Sequence, residues 1–452
     1  VERDFDVVVI GSGSAGTAVA TAVRARGKTV AVVDHRPFGG TCALRGCDPK
    51  KVFVHAASVI AEVRDLAGHG IFQDAPALHW RDLLRFKRSF TDPVPEQRLK
   101  TYRDAGIEAL QGRAIFKDVA TLDAGGQTLR ARTIVVAAGA KPRHVAPGDD
   151  ALLTSEAFME LETLPDSLVF AGGGFVTFEF AHVAARAGCR VTILHNDAHP
   201  LAGFDPDVVA RLVAATRELG IDVRLETPVK RVERTAHGVR VHAESGGKPV
   251  AFEAASGVLG AGRVPDIDDM ALDAAHVERT NRGVRVNEYL QSPSNPIVYA
   301  AGDAADGGAV PLTPVAAYEG EIAAANILDG NHARANFAGL ASIVYTTPPL
   351  GSAGESEAQV RERGADSDVR AGDMSEWYQT RHVAAPGAYY KVVLEKGTRK
   401  LLGATIFGPH AQEQINLISL AIRHGLKAGD LSGALFAYPT GASDFEYMLA
   451  EK

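Results

Sequence analysis

Apolar residues run unbroken from Val7 to Ile10 (VVVI), with charged residues before them and glycine after, which predicts a buried strand. A glycine-rich turn follows (Gly11, Gly13, Gly16), then an Ala/Val-rich helix, Gly27, a second strand over Thr29–Val33, and Asp34. The same grammar returns over Ser167–His195. There a strand (Leu168–Ala171) leads to Gly172 and Gly174, a helix through Arg186, Gly188, a strand (Arg190–Leu194) and His195. Each stretch reads as a βαβ unit of about 30 residues. Between them, Thr133–Ala138 (TIVVAA) predicts a buried strand ending at Gly139, and Ala140–Pro147 a loop. Val258–Pro265 and Ile297–Asp303 are two further strand-to-glycine segments. From about residue 336 the pattern alternates, as in Tyr389–Leu394 and Leu401–Phe407, and a helix is predicted over Ala411–His424. That is α+β patterning, no longer doubly wound.

Two glycine fingerprints, each between a strand and a helix, point to two dinucleotide sites more strongly than one would. The glycines let backbone N–H groups approach a pyrophosphate, and the helix N-terminus adds partial positive charge. The alternative is a parallel sheet whose glycines serve only close packing. It stays more open for the second unit, where Thr177 stands in place of the usual Gly or Ala.

Composition narrows the class. A chain of 452 residues, 46% hydrophobic and 23% charged, is too long for one core and implies about three domains. A net charge of −7 gives no basic field for nucleic acid or anionic membrane. No apolar run is long enough to span a bilayer, and Val1–Asp6 has no signal-peptide character, so a cytoplasmic location is expected. Three cysteines are too few for a disulfide-stapled secreted fold. Cys189, at the end of a predicted helix, reads as a small buried hydrophobe.

Cys42 and Cys47 differ. The segment Gly39–Lys51 (GGTCALRGCDPKK) places them five positions apart at a helix start, where they can come close enough to bridge. The helix N-terminus with Arg45, Lys50 and Lys51 favours thiolate, the reactive form. The alternative is a pair of buried thiols.

The segment resembles the active-site stretch of the class I flavoprotein disulfide reductases, the family of glutathione reductase, dihydrolipoamide dehydrogenase and mercuric reductase. GGGF with Glu179, GRVP at Gly262–Pro265, AAGDAAD at Ala300–Asp306 and YPT at Tyr438–Thr440 fall in the family's order. The resemblance implies an α/β fold with two Rossmann-like dinucleotide-binding domains and a C-terminal α+β dimerisation domain. The FAD domain would cover about 1–150 and 265–335, the nicotinamide domain 151–264, and the dimerisation domain 336–452.

By the same resemblance, Gly11, Gly13 and Gly16 match the FAD pyrophosphate turn, Asp34 the acid for the adenosine ribose, and Asp303 the acid for the ribityl chain. Cys42 matches the interchange thiol and Cys47 the thiol beside the flavin. Lys50 and Glu179 match the ion pair at the flavin N5 edge. Gly172 and Gly174 match the nicotinamide pyrophosphate turn, and Phe175 the aromatic gate of that pocket. Ser14, Gly40, Thr41, Lys51, Gly139, Gly262, Arg263 and Gly302 belong to the same cofactor-binding motifs. No resident metal is implied. The implied reaction passes hydride from NAD(P)H to FAD, then to the Cys42–Cys47 disulfide, then to a small disulfide substrate.

The departures carry the question of substrate. Disulfide-reducing members place a His–Glu pair where this chain has Tyr438 and Ser443, with Asp444 one step on. Tyr, with a reference pKa near 10, is a poor base at neutral pH. Tyr438 either donates a proton in the partner subunit's site or only packs at the dimer interface. Arg45 puts a cation in the redox loop, either tuning a thiol or without a role. Thr21 stands where glutathione reductases have an Arg for a glutathione carboxylate. The end of the chain, MLAEK, lacks the cysteine pair of mercuric reductases, and no N-terminal metal-binding domain is seen. The second βαβ unit ends in His195 and Asn196 without an acid, which leans toward NADPH over NADH. The alternatives are reduction of a metal ion, quinone or other electrophile, and a scaffold role in a larger assembly.

Overall fold

The computed structural model describes residues 2–70 and 77–450, so Val1 and the final Glu451 and Lys452 of the MLAEK end lie outside the described residues. The chain divides into two compact units: Val1–Lys51 with Arg85–Arg143 and Arg263–Asn336, and Val52–Leu84 with His144–Gly262 and Phe337–Lys452.

The first unit is built on a seven-stranded sheet. Its path runs Glu108–Gln111, Val30–Asp34, Glu2–Ile10, Gln127–Val136, Thr121–Ala124, Ala114–Phe116, and Val298–Ala300 also pairs with Gln127–Val136. The central pairings are parallel; those of Thr121–Ala124 are antiparallel. The strand Val30–Asp34 is buried throughout, as expected for a parallel strand covered on both faces. Successive residues of the first strand serve opposite cores. Val8 and Ile10 join Leu129 and Ile134, while Val7 and Val9 join Val19, Val23 and Tyr102. The helix Ser14–Ala25 packs on the helix Thr313–Asp329 so closely that a Cβ on Gly320 would lie 2.6 Å from the Ala15 carbonyl oxygen.

The second unit repeats the device. Its all-parallel sheet has the order Asp222–Arg224, Arg190–Leu194, Ser167–Ala171, Ser256–Leu259, beside a three-stranded antiparallel sheet spanning Val229–Ala254. The C-terminal part is a five-stranded antiparallel sheet with the helix Ala411–Arg423 laid on it through Ile415, Ile418 and Ala421. The α/β class, the paired doubly wound units and the α+β tail all stand as the patterning implies. Among the described residues no helix is long and apolar enough to cross a membrane.

Two local expectations change. Ala140–Pro147 is not wholly loop: Ala140–Pro142 pairs antiparallel with Arg263–Pro265, two short segments too polar to register as strands. The redox segment is not one helix start but two helices, Gly40–Arg45 and Cys47–Asp65, broken at Gly46. A Cβ at Gly46 would sit 2.7 Å from the Thr41 carbonyl oxygen, so the break needs glycine.

Candidate redox site

The first turn is fixed by backbone contact. Gly11 has φ +107°, and a Cβ there would lie 2.2 Å from the Ala137 carbonyl oxygen. Gly13 ends the turn, and the helix Ser14–Ala25 starts without a side-chain cap, so its first N–H groups stay available to an anion. Gly40 closes on Gly13, where an added Cβ would come within 2.4 Å of the Gly13 Cα. The turn of the fingerprint and the start of the short redox helix therefore pack backbone to backbone.

Ser12, not foreseen from the sequence, ties these parts together. It is fully buried; its hydroxyl donates to Asp34 Oδ2 at 2.6 Å and accepts the Gly39 N–H at 3.0 Å. Asp34 also takes the backbone N–H groups of Ser12 and Arg36, each at 2.9 Å. A carboxylate offers about four lone-pair sites, so Asp34 retains capacity for a further hydroxyl donor.

Cys42 lies in the short helix and Cys47 opens the long one; both are free thiols. Their surroundings split them. Cys47 is lowered to about 6, first by the hydrogen bond from Cys42, then by the Thr313 hydroxyl and the charges of Lys50 and Lys51. Thr313 Oγ1, in the first turn of its helix, is 3.5 Å from Cys47 Sγ. Cys42 is pushed far up, first by its hydrogen bond with Cys47, then by burial and by the negative charges of Cys47 and Asp48. Its thiol donates to Asp48 Oδ1 at 3.7 Å. In the reduced pair the negative charge sits on Cys47 and the proton on Cys42. Lys50 is buried, Lys51 half-buried, and Arg45 ends the short helix half-buried. Thr41 lies in that helix, and Thr21 is exposed on the first long helix.

The second acidic motif is held from an unexpected side. Gly302 donates its N–H to Glu319 Oε2 at 2.7 Å, and Glu319 is buried in an otherwise Ala-rich helix. Burial raises Glu319 to about 7. Asp303 beside Gly302 is also raised by burial, an effect opposed by the charge of Arg263. Arg263 donates to the Ala140 carbonyl oxygen next to Gly139, and the Asp266 N–H bonds to the Gly139 carbonyl at 3.0 Å. The segment TPVAAYEGEIAAANILD carries two acids, Glu319 and Glu321, and nothing in the sequence pattern singles out Glu319.

In the second unit, Gly172 and Gly174 lead into the helix Phe175–Arg186, with Phe175 exposed at its first position. Thr177 is fully buried, and its hydroxyl donates to the Gly260 carbonyl at 3.3 Å. A Cβ on Gly260 would lie 1.9 Å from that hydroxyl oxygen. The room a glycine would give at 177 is thus supplied at 260. His195 packs over the turn: a Cβ on Gly173 would be 2.6 Å from its Nδ1, while Nε2 bonds the His199 carbonyl at 3.1 Å. Glu179 is buried and accepts the Tyr345 N–H at 3.0 Å. Glu179 belongs to the second unit and Lys50 to the first.

Tyr438 is 73% exposed, with its ring 6.4 Å from that of Tyr378. Ser443 does not serve it: the Ser443 hydroxyl donates to the Thr440 carbonyl at 2.6 Å and closes the turn. Asp444 is buried and raised to about 6 by that burial. Cys189 is half-buried, donates to the Pro165 carbonyl at 3.0 Å, and is raised to about 11 by burial.

A dithiol at a dinucleotide turn, with a second dinucleotide-type unit and an antiparallel C-terminal sheet, defines an oxidoreductase class. The chain belongs to the pyridine nucleotide-disulphide oxidoreductases. The family's main model matches residues 5–320 and its dimerisation-domain model residues 340–449. The family is FAD-dependent and uses a pyridine nucleotide. Among known proteins, the chain is 30% identical to a glutathione reductase of Burkholderia cepacia, over 98% of each chain. It is 29% identical to a mercuric reductase of Bacillus cereus, covering 97% of this chain and 70% of the relative. The HOCl-induced flavoprotein disulfide reductase RclA from Escherichia coli, solved as a Cu(II) complex, has the same fold. Its TM-score is 0.86 at 23% identity, over 99% of each chain.

Proposed function

We propose that this chain is an FAD-dependent NAD(P)H:disulfide oxidoreductase working through Cys42 and Cys47. The supporting observation is the split of the reduced pair into a Cys47 thiolate and a Cys42 thiol. FAD would be held by Gly11, Gly13, Ser14, Gly16, Asp34, Gly139, Gly302 and Asp303, in a domain made of about 1–150 and 265–335. The close-contact glycines, the uncapped helix start and the spare capacity of Asp34 suit it. When bound, FAD supplies the two-electron chemistry that joins a hydride donor to sulfur. The nicotinamide cofactor would occupy the 151–264 domain at Gly172 and Gly174, with Phe175 as gate and NADPH preferred because His195 and Asn196, not an acid, stand directly after Leu194.

Cys42 attacks a disulfide sulfur of the substrate RSSR, forming Cys42–S–SR, and the Cys42 proton leaves with the departing RSH. The Cys47 thiolate then attacks Cys42 sulfur, closing the Cys42–Cys47 disulfide. The second RS⁻ takes a proton from solvent. One hydride equivalent from NAD(P)H restores the Cys42 thiol and the Cys47 thiolate with no further proton, so the net change, with the solvent proton taken by RS⁻, is NAD(P)H + H⁺ + RSSR to NAD(P)⁺ + 2 RSH. The 336–452 domain would pair two copies, bringing Tyr438 to the partner's site.

A screen of disulfides, metal ions and quinones against NADPH and NADH oxidation tests this. Cys47→Ser and Cys42→Ser should each abolish disulfide turnover, and normal turnover by both would end the proposal. The exposed Tyr438, with Ser443 rather than a carboxylate five positions on and that hydroxyl turned to the Thr440 carbonyl, favours a second reading, reduction of a metal ion or quinone. Quinone turnover surviving loss of both thiols would select it.

A further inference from the structure

The charges around the redox pair are sorted by position. The cations Lys50 and Lys51 act on Cys47, whereas Cys42 feels the anions Cys47 and Asp48. Asp48 is exposed in the first turn of the helix Cys47–Asp65, and its Oδ1 is 3.7 Å from Cys42 Sγ. An acid in the first turn ordinarily does no more than complement the helix dipole. Here its carboxylate also touches the sulfur that substrate must reach.

We propose that Asp48 selects substrates by charge at Cys42, admitting cationic and uncharged disulfides and holding back anionic ones. This rests on Cys42 being the interchange thiol. A substrate charge two or three bonds from the attacked sulfur would stand roughly 5–6 Å from the Asp48 carboxylate. In near-bulk dielectric that separation is worth about fourfold in rate per unit charge, or about fifteenfold between a monocation and a monoanion. Because Asp48 faces water, the preference should shrink as salt shortens the screening length to about 3 Å at 1 M.

The field is read first without turnover. In full-length Cys47→Ser protein, Cys42 is labelled with cationic trimethylammonioethyl methanethiosulfonate or its anionic sulfonatoethyl analogue, and the rates are followed by mass spectrometry. Cys189, raised to about 11, labels slowly and is resolved separately. The cation-to-anion rate ratio should fall about fifteenfold on Asp48→Asn at low ionic strength, and further on Asp48→Lys. A purely structural role for Asp48 would not move that ratio. The second arm compares kcat/KM for cystamine, hydroxyethyl disulfide and dithiodipropionate in wild type and Asp48→Asn, each with flavin content checked. Loss of the cystamine preference in the variant supports the inference. An unchanged labelling ratio overturns it, even if every disulfide is reduced. If the labelling ratio collapses as expected but no disulfide is turned over, charge selection stands and the disulfide reductase reading fails.

Discussion

The acidity of Cys47 can be tested through one hydroxyl. Thr313 Oγ1 lies 3.5 Å from Cys47 Sγ, and Thr313→Val removes the donor while keeping the shape. A hydrogen bond to a charged group contributes about 1.5–3 kcal/mol, and sulfur at this distance belongs at the low end. At 1.36 kcal/mol per unit, that is about one pKa unit. The first cause of the low value, the hydrogen bond from Cys42, is untouched, so Cys47 should move from about 6 to about 7. The thiolate exists above its pKa and is lost as pH falls through it. The long-wavelength band expected if this thiolate lies beside oxidised flavin, titrated anaerobically after NAD(P)H reduction, should therefore fade at higher pH in the variant. At pH 6.5 about three-quarters of wild type should be ionised, against about one-quarter of Thr313→Val. A midpoint unchanged within about 0.3 units, in protein that retains its flavin, would refute the assignment. Cys42→Ala is the internal standard and should raise the midpoint further.

Two further outcomes concern the scaffold. Gly260→Ala drives a methyl into the Thr177 hydroxyl and should destabilise the second unit by about 1–3 kcal/mol in urea unfolding, with Thr177→Ala in the same chain recovering at least half; equal loss in single and double variants would contradict that contact. Lys391, 7% exposed, is held by Asp205, Asp207 and Glu357. Lys391→Met should cost about 3–5 kcal/mol because the buried Asp205 is left without its cation. Adding Asp205→Asn should restore part of this, and a silent Lys391→Met would show the cluster to be dispensable.

What the sequence made legible follows the reach of its signals. Runs such as VVVI and TIVVAA announce buried parallel strands because both faces are covered, and the paired fingerprints announce their turns. The pairing of Ala140–Pro142 with Arg263–Pro265 was not legible, since each segment is too short to show a period and the partners are distant in sequence. The thiols were legible by spacing, but their neighbours were not. Ser12 and Thr313 are ordinary hydroxyl residues until the fold brings them to Asp34 and Cys47. Asp48 gave no signal in the sequence, because the break at Gly46 that leaves it 3.7 Å from Cys42 has no periodic signature. Thr177 looked like a defect in the fingerprint, and only Gly260 across the sheet end explains it.

One small group joins parts that a scheme of separate motifs would keep apart. The Ser12 hydroxyl touches the acid that ends the second strand and the amide that precedes the short redox helix. Whatever steadies the fingerprint turn must steady the approach to the sulfurs as well, and a turn left slack would pull the thiols out of register. A change at Ser12 is therefore expected to disturb the fingerprint turn and the start of the cysteine helix together.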